Sequence, residues 1–215
     1  MAGKRSSETS DTAARILDIG ERLVQVRGFN GFSYADVASE LDMTKAALHY
    51  HFPGKAALGR ALIERYTRRF TEALAEIDAR IPDAPDKLDA YAGLYAGVLR
   101  GHRMCLCGML AAEFQTLPGP MRDAVIAFID ANEAWVEQVL RDGAQAGSIA
   151  LAGSASDAAR LIVSGLEGAM LVARPYGDLA RFDTAAEGLL AGFTAPRAAR
   201  SSSTARRTRP PRSAR

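Results

Sequence analysis

The chain has 215 residues, 48% hydrophobic and 24% charged, the composition of a globular protein of one or two domains with apolar residues enough for a sizeable core. The polar opening MAGKRSSETSDTAAR lacks an apolar h-region, and the longest apolar stretch, LIVSGLEGAMLVA, is short of a span and carries Glu167, so a cytoplasmic protein is expected, without a signal peptide or membrane anchor. The net charge of +2 hides an asymmetry: the last twenty residues hold seven arginines and no acid, and the remainder has 20 basic and 25 acidic residues, a net −5, so overall charge does not argue for nucleic-acid binding.

Two cysteines, Cys105 and Cys107, have no partners at zinc-ligand spacing and cannot staple a fold. Free thiols in a reducing compartment are expected, with no metal and no cofactor. Alanine and leucine dominate, β-branched residues are sparse, and apolar positions recur at helical spacing, so the fold class is all-α.

In chain order, Ala13, Ile16, Leu17, Gly20, Leu23 and Val24 fall on one helical face, after a cap at Ser10, and Gly28 ends that helix. Ser33 and Asp36 have the form of a capping box, opening a short helix that turns Val37, Ala38 and Leu41 inward. Asp42 and Met43 make a tight turn, and Thr44 caps a third short helix packed by Ala47, Leu48 and Phe52 and stopped at Pro53 and Gly54. A long helix follows over 55–80. The remaining helices are expected over 86–102, 104–117, 121–146, 156–173 and 184–194, separated by Pro- and Gly-containing segments. The Arg, Ser and Pro tract from residue 196 onward cannot bury enough apolar area to repay its ordering entropy, and is expected to be a disordered electrostatic arm.

Two short helices joined by a tight turn are the parts of a helix-turn-helix. Its second helix must rest an apolar face on the first while offering small or polar residues to base edges and phosphates. The free amides and positive dipole at that helix's N-terminus also favour phosphate. Thr44, Lys45, Ala46, His49 and Tyr50 fit such a surface. Two short amphipathic helices also occur as plain packing in all-α proteins, and the spacing alone leaves both readings open.

The run from residue 16 to 58 resembles the N-terminal domain of the TetR family of bacterial transcriptional regulators. The matching elements are Gly28-Phe29, Ser33-Tyr34, Asp36-Val37-Ala38 and the stretch MTKAALHYHFPGKAAL, with Leu48, Phe52, Lys55 and Leu58 at the family's spacing. The sequence departs from the family where Asp42 and Ala46 replace frequent glycines. His49 replaces a frequent tyrosine, leaving open whether it or Tyr50 makes the phosphate contact. The resemblance implies DNA contacts from Ser33, Tyr34, Thr44, Lys45, Ala46, His49, Tyr50 and Lys55, a solvated lysine being the alternative for Lys55. His51 is read as packing and His102 as exposed.

The resemblance further implies a small-molecule cavity among the middle helices. Phe70, Leu74, Leu94, Cys105, Met109, Phe114 and Trp135 are candidate lining, joined by Leu99, Leu110 and Val139 and by Glu113 and Gln115 as polar contacts, with core packing the alternative for each apolar residue. The segment MCLCGMLAAEFQTL resembles the Gly-Cys-Leu segment of electrophile- and redox-responsive members, with Met104 in place of the usual glycine. That singles out Cys105, near Arg100 and Arg103, as a reactive thiol, against the reading of both cysteines as core.

The helix over 156–173 is apolar nearly all round and must be buried on both faces. A partner subunit is the expected cover, through Leu161, Ile162, Gly165, Ala169 and Val172 with Leu189 on the last helix. This agrees with the four-helix dimer interface that the resemblance implies, and a central helix buried within one chain is the alternative.

The expected organisation is a flexible lead over 1–9, a helix-turn-helix domain over 10–54, a ligand-binding and dimerisation domain over 55–195 and the arginine-rich tail over 196–215. The expected function is a homodimeric transcriptional repressor on a palindromic double-stranded DNA operator, released by an unknown small-molecule effector or by thiol modification. No enzyme is expected, since the three histidines are scattered and no Glu-x-x-His pair or phosphate loop appears. A helical protein-interaction adaptor is the principal alternative, with a helical-bundle enzyme behind it.

Overall fold

The structure is a computed structural model that describes residues 2–195; the arginine-rich tail lies outside the described residues. Among these the chain is all-α, with nine α-helices, two short 3-10 turns and one isolated β-bridge between Ile149 and Thr194. The helices are α1 (Ala2–Arg27), α2 (Tyr34–Glu40), α3 (Lys45–His51), α4 (Lys55–Arg80), α5 (Ala84–Arg100), α6 (Leu106–Ala112), α7 (Gly119–Ala146), α8 (Ala155–Ala173) and α9 (Leu179–Ala191). No helix among the described residues is long and apolar enough to cross a membrane.

Several boundaries differ from the sequence expectation, each for a local reason. Backbone helicity begins at Ala2, so Ser10 does not start α1 and the expected flexible lead is helical from residue 2. Pro85 and Pro120 stand inside the first turns of α5 and α7, where a missing amide costs nothing, rather than in the connections before them. The helix expected over 104–117 is shorter, because Cys105 is the N-cap of α6 and Glu113 its C-cap. α9 begins at Leu179, five residues earlier than expected, because the Asp178 side chain accepts from the Ala180 amide at 3.0 Å.

The chain divides into two compact units. The first comprises, among the described residues, 2–73 and 97–131, grouping α6 with the three N-terminal helices. Its core includes Ile16, Leu23, Val37, Leu48, Leu58, Leu62, Leu106, Leu110 and Phe128. Buried Glu21 is bridged by Arg65, at 2.9 Å, and by Arg69, while Asp18 takes the other guanidinium nitrogen of Arg65 at 2.7 Å; these pairs hold α1 on α4. The second unit comprises, among the described residues, 74–96 and 132–195. It buries Leu88, Tyr91, Val136, Leu140, Ile162, Leu166, Met170 and Phe182, and α8 lies against α9.

Candidate functional site

The helix-turn-helix is built by short-range polar bonds that the sequence encodes locally. Ser33 is the N-cap of α2: its hydroxyl accepts from the Asp36 amide, and its own amide and hydroxyl each donate to the Asp36 carboxylate at 2.6 Å. These donors, the hydroxyl foremost, hold the Asp36 carboxyl below its ordinary value. The turn between α2 and α3 needs one left-handed residue, and Asp42 takes it at φ 54°. Thr44 then caps α3, its hydroxyl accepting from the Ala47 amide at 3.1 Å.

The seven residues of α3 present two distinct sides. Leu48 is wholly buried and anchors the helix to the core, while Lys45, Ala46, His49 and Tyr50 are exposed, Tyr50 at 78%. The His49 ring lies 4.8 Å from that of Tyr34 and the His51 ring 5.4 Å from that of Tyr50, so the outward aromatics are braced by one another.

Three of the expected DNA-contact residues are occupied by the fold. The Ser33 side chain is committed to its capping box. The Tyr34 hydroxyl donates to the Phe52 carbonyl at 2.9 Å, and burial pushes this phenol up against the opposing donation from the Gly54 amide. The Lys55 ammonium is turned inward. It donates to the Phe32 carbonyl and sits 4.6 Å and 4.4 Å from the ring centroids of Phe29 and Phe32. Burial pushes it down, opposed by the charges of Glu113 and Asp36.

Glu113, expected among the polar ligand contacts, is also committed. Its carboxylate accepts from the Phe29 amide at 2.5 Å and from the Asn30 amide at 3.2 Å, in the connection between α1 and α2. Gly28, at φ 81°, leaves room for it: a Cβ there would stand 2.8 Å from a Glu113 carboxylate oxygen. Sequence spacing carried no sign of this contact, which joins residues 84 positions apart.

The seven candidate ligand-lining residues fall in both units. In the first, Phe70 joins an aromatic cluster with Tyr66 and Phe128, at centroid distances of 6.1 and 5.3 Å, and the Tyr66 hydroxyl lies 3.6 Å from the Cys105 sulfur. Phe70 and Cys105 thus share one neighbour; Met109 and Phe114 are half-buried. In the second, Trp135 stacks on Tyr91 at 5.5 Å and donates its indole N–H to Asp78 at 2.8 Å, Leu74 is buried and Leu94 half-buried. Cys105 and Cys107 form no disulfide among the described residues, each is 1% exposed, and the Cys105 sulfur accepts from the Gly108 amide at 3.5 Å.

On α8 the expected dimerisation set is split. Ile162 is buried within its own chain, and Gly165 faces α9 so closely that a Cβ there would stand 2.6 Å from Leu189. These positions and Leu189 serve intrachain packing, because α9 occupies that side. The solvent-facing stripe runs instead through Leu161, Gly168, Leu171 and Val172, with Tyr176 beyond the helix end. Ala169 and Val172 line an open groove between α8 and α9 together with Asp178 and Arg181.

Comparisons with known proteins agree with this arrangement. Residues 16–62 match the model described as bacterial regulatory proteins, tetR family, and residues 84–189 match that of the tetracyclin repressor-like C-terminal domain. A solved TetR-family regulator from Agrobacterium tumefaciens is 32% identical, with a TM-score of 0.84 over 87% of this chain and 100% of that one. A TetR regulator from Legionella pneumophila is 31% identical, with a TM-score of 0.74 over 84% of this chain and 96% of its own. The transcriptional repressor NemR of Escherichia coli strain K12 is 26% identical over 168 residues, 76% of this chain and 84% of NemR. With the helix-turn-helix placed at α2 and α3 and the match extending through the helices behind it, the chain belongs to the TetR family of bacterial transcriptional regulators.

Proposed function

We propose that this protein is a homodimeric, ligand-responsive transcriptional repressor, not an enzyme, that acts in the cytoplasm on a palindromic DNA operator. The observation that carries the reading is α3: Leu48 fixes the helix while Lys45, Ala46, His49 and Tyr50 stand free on its outer side. A helix so held fits the major groove, Lys45 and His49 meeting phosphate or base edges and the Ala46 methyl suited to a thymine methyl. Two copies related by a twofold axis must then present their recognition helices about 34 to 36 Å apart.

The second copy is supported by the apolar stripe on α8. Leu161, Leu171 and Val172 are 54%, 60% and 62% exposed on one helix of a single chain. Covering them removes apolar area from water at about 25 cal/mol per Å². Repression as the output is supported by the relative NemR, which is named a transcriptional repressor. An effector that binds better to a dimer of the wrong head separation shifts the population off DNA. Candidate contacts for it are the half-buried Phe70, Met109 and Phe114 in the first unit, or Leu94 and Trp135 in the second, and thiol modification at Cys105 is a second route.

The test is selection of duplexes from a random pool by the purified protein, followed by titration at several salt concentrations. Enrichment of a palindrome, bound two chains per site, supports the reading; binding indifferent to sequence, or none, favours the adaptor. Leu171→Glu with Val172→Glu should give monomers in sedimentation that bind the selected palindrome weakly.

A further inference from the structure

The carboxylate that α6 delivers to the connection between α1 and α2 has no part in the reading above, which assigns DNA contact to α3 and sensing to the regulatory helices. We propose that Glu113 is a positioning residue for DNA binding, a latch through which the state of α6 sets the stance of the helix-turn-helix. The inference rests on the regulator reading and adds to it the residue that links the two activities.

Four observations place the latch. The Glu113 oxygens accept from two successive backbone amides, Phe29 and Asn30, at 2.5 and 3.2 Å, so one side chain holds the chain where it leaves α1 for α2. The Asn30 side chain reaches back, its amide donating to the Thr116 hydroxyl at 2.7 Å, while that hydroxyl donates to the Glu113 carbonyl at 2.8 Å. Lys55, at the start of α4, bonds the Phe32 carbonyl and is drawn by the Glu113 charge, closing the same connection from its other side. Gly28 leaves the space that the carboxylate occupies, since a Cβ there would stand 2.8 Å from one of its oxygens.

α6 is suited to move this carboxylate. It is seven residues long, about 10 Å at 1.5 Å per residue. Glu113 is its C-cap, and the Cys105 sulfur caps its other end. The segment just before it is tied to α1 by the Met104 amide, which donates to the Gln25 carbonyl at 3.2 Å. A short rigid rod held by contacts at each end transmits a displacement of one end to the other, because packed side chains shift as units rather than absorb strain. Hydrogen bonds to a charged carboxylate are about twice as strong as neutral ones, which makes Glu113 more than an incidental contact.

The inference is tested on the full-length dimer with Glu113→Ala and Glu113→Gln, using the palindrome selected by wild type, and with Cys105→Val, which removes the sulfur cap, made alone and with Glu113→Ala. Hydrogen exchange at the Phe29 and Asn30 amides reads the latch without DNA. Glu113→Ala should lose protection there and weaken operator binding about 5-fold or more, within the usual range of coupling between sites. Glu113→Gln, which keeps the length and one acceptor oxygen, should recover part of both. Cys105→Val should weaken binding in the wild-type background and add little in Glu113→Ala, whereas a merely structural role would make the two losses add. Unchanged operator affinity in Glu113→Ala, or a Cys105→Val effect of equal size in both backgrounds, overturns the inference while leaving the regulator reading intact. Failure of wild type to select any duplex overturns both.

Discussion

The Tyr34 hydroxyl donates to the Phe52 carbonyl at 2.9 Å, joining the first residue of α2 to the residue that ends α3. The bond closes the helix-turn-helix on the side away from the Asp42 turn, so the pair is pinned at both ends. Tyr34→Phe removes the donor and leaves the carbonyl half-buried, which should cost about 1 kcal/mol. The melting temperature should fall by about 2 to 4 °C. Because the phenol is spent inside the fold, the salt slope of operator binding should stay as in wild type. A reduced slope with an unchanged melting temperature would instead make Tyr34 a phosphate contact.

Lys45 and Lys55 lie ten positions apart on the chain and should behave differently. Lys45 is exposed at the first turn of α3, so Lys45→Ala should weaken operator binding with dimerisation and helicity intact. If it meets phosphate, the salt slope falls by about one unit; if it reads a base, discrimination relaxes by about 1 to 3 kcal/mol at one position. Lys55 is folded over Phe29 and Phe32, and Lys55→Met should lower thermal stability without changing the salt slope. Titrations at several salt concentrations, paired with melting curves, separate the two; an unaltered slope and affinity in Lys45→Ala would remove that residue from the interface.

What the sequence disclosed follows the range of the interactions concerned. Ser33 with Asp36, and Thr44 with Ala47, act over three residues, so their side-chain types alone announce the caps, and Asp42 announces a turn because few other residues accept a positive φ. The contacts of Glu113 and Lys55 were not legible because their partners, Phe29 and Phe32, lie 84 and 23 positions away, and no local spacing encodes such pairs. The α8 stripe was legible as apolar but not as to which side was free. Neighbouring helical positions such as Leu161 and Ile162 point about 100° apart, and only the placement of α9 decides which is covered.

The chain's single tryptophan reports on Asp78, which accepts from both Trp135 and Lys87. Burial pushes the Asp78 carboxyl up, but the two donors and the Lys87 charge outweigh it, and the net direction is below the ordinary carboxylate value. A carboxylate lowered in the folded state contributes stability that is present above the unfolded value and lost as pH falls through the lower folded one. The Trp135 emission should therefore hold steady from neutral pH to about pH 4 and change below it. Asp78→Asn should lower the melting temperature at pH 7 and flatten that part of the titration. A wild-type emission midpoint above 4 would reverse the assigned direction.

Cys105 and Cys107 are equally buried, yet their surroundings differ, and electrophiles should distinguish them. The Cys105 sulfur caps α6 and receives the Gly108 amide and the Tyr66 hydroxyl, whereas Cys107 lies inside the helix. Burial requires α6 to open first, so reaction with N-ethylmaleimide should be slower than that of a free thiol and limited by the opening. The adduct then adds bulk to a packed interior, where helices shift to accommodate it, and operator binding should be lost. Wild type and Cys107→Ser should release a fluorescent operator on treatment, and Cys105→Ser should hold it. Release that persists in Cys105→Ser, or never occurs in wild type, returns Cys105 to core packing and leaves a non-covalent apolar effector as the inducer.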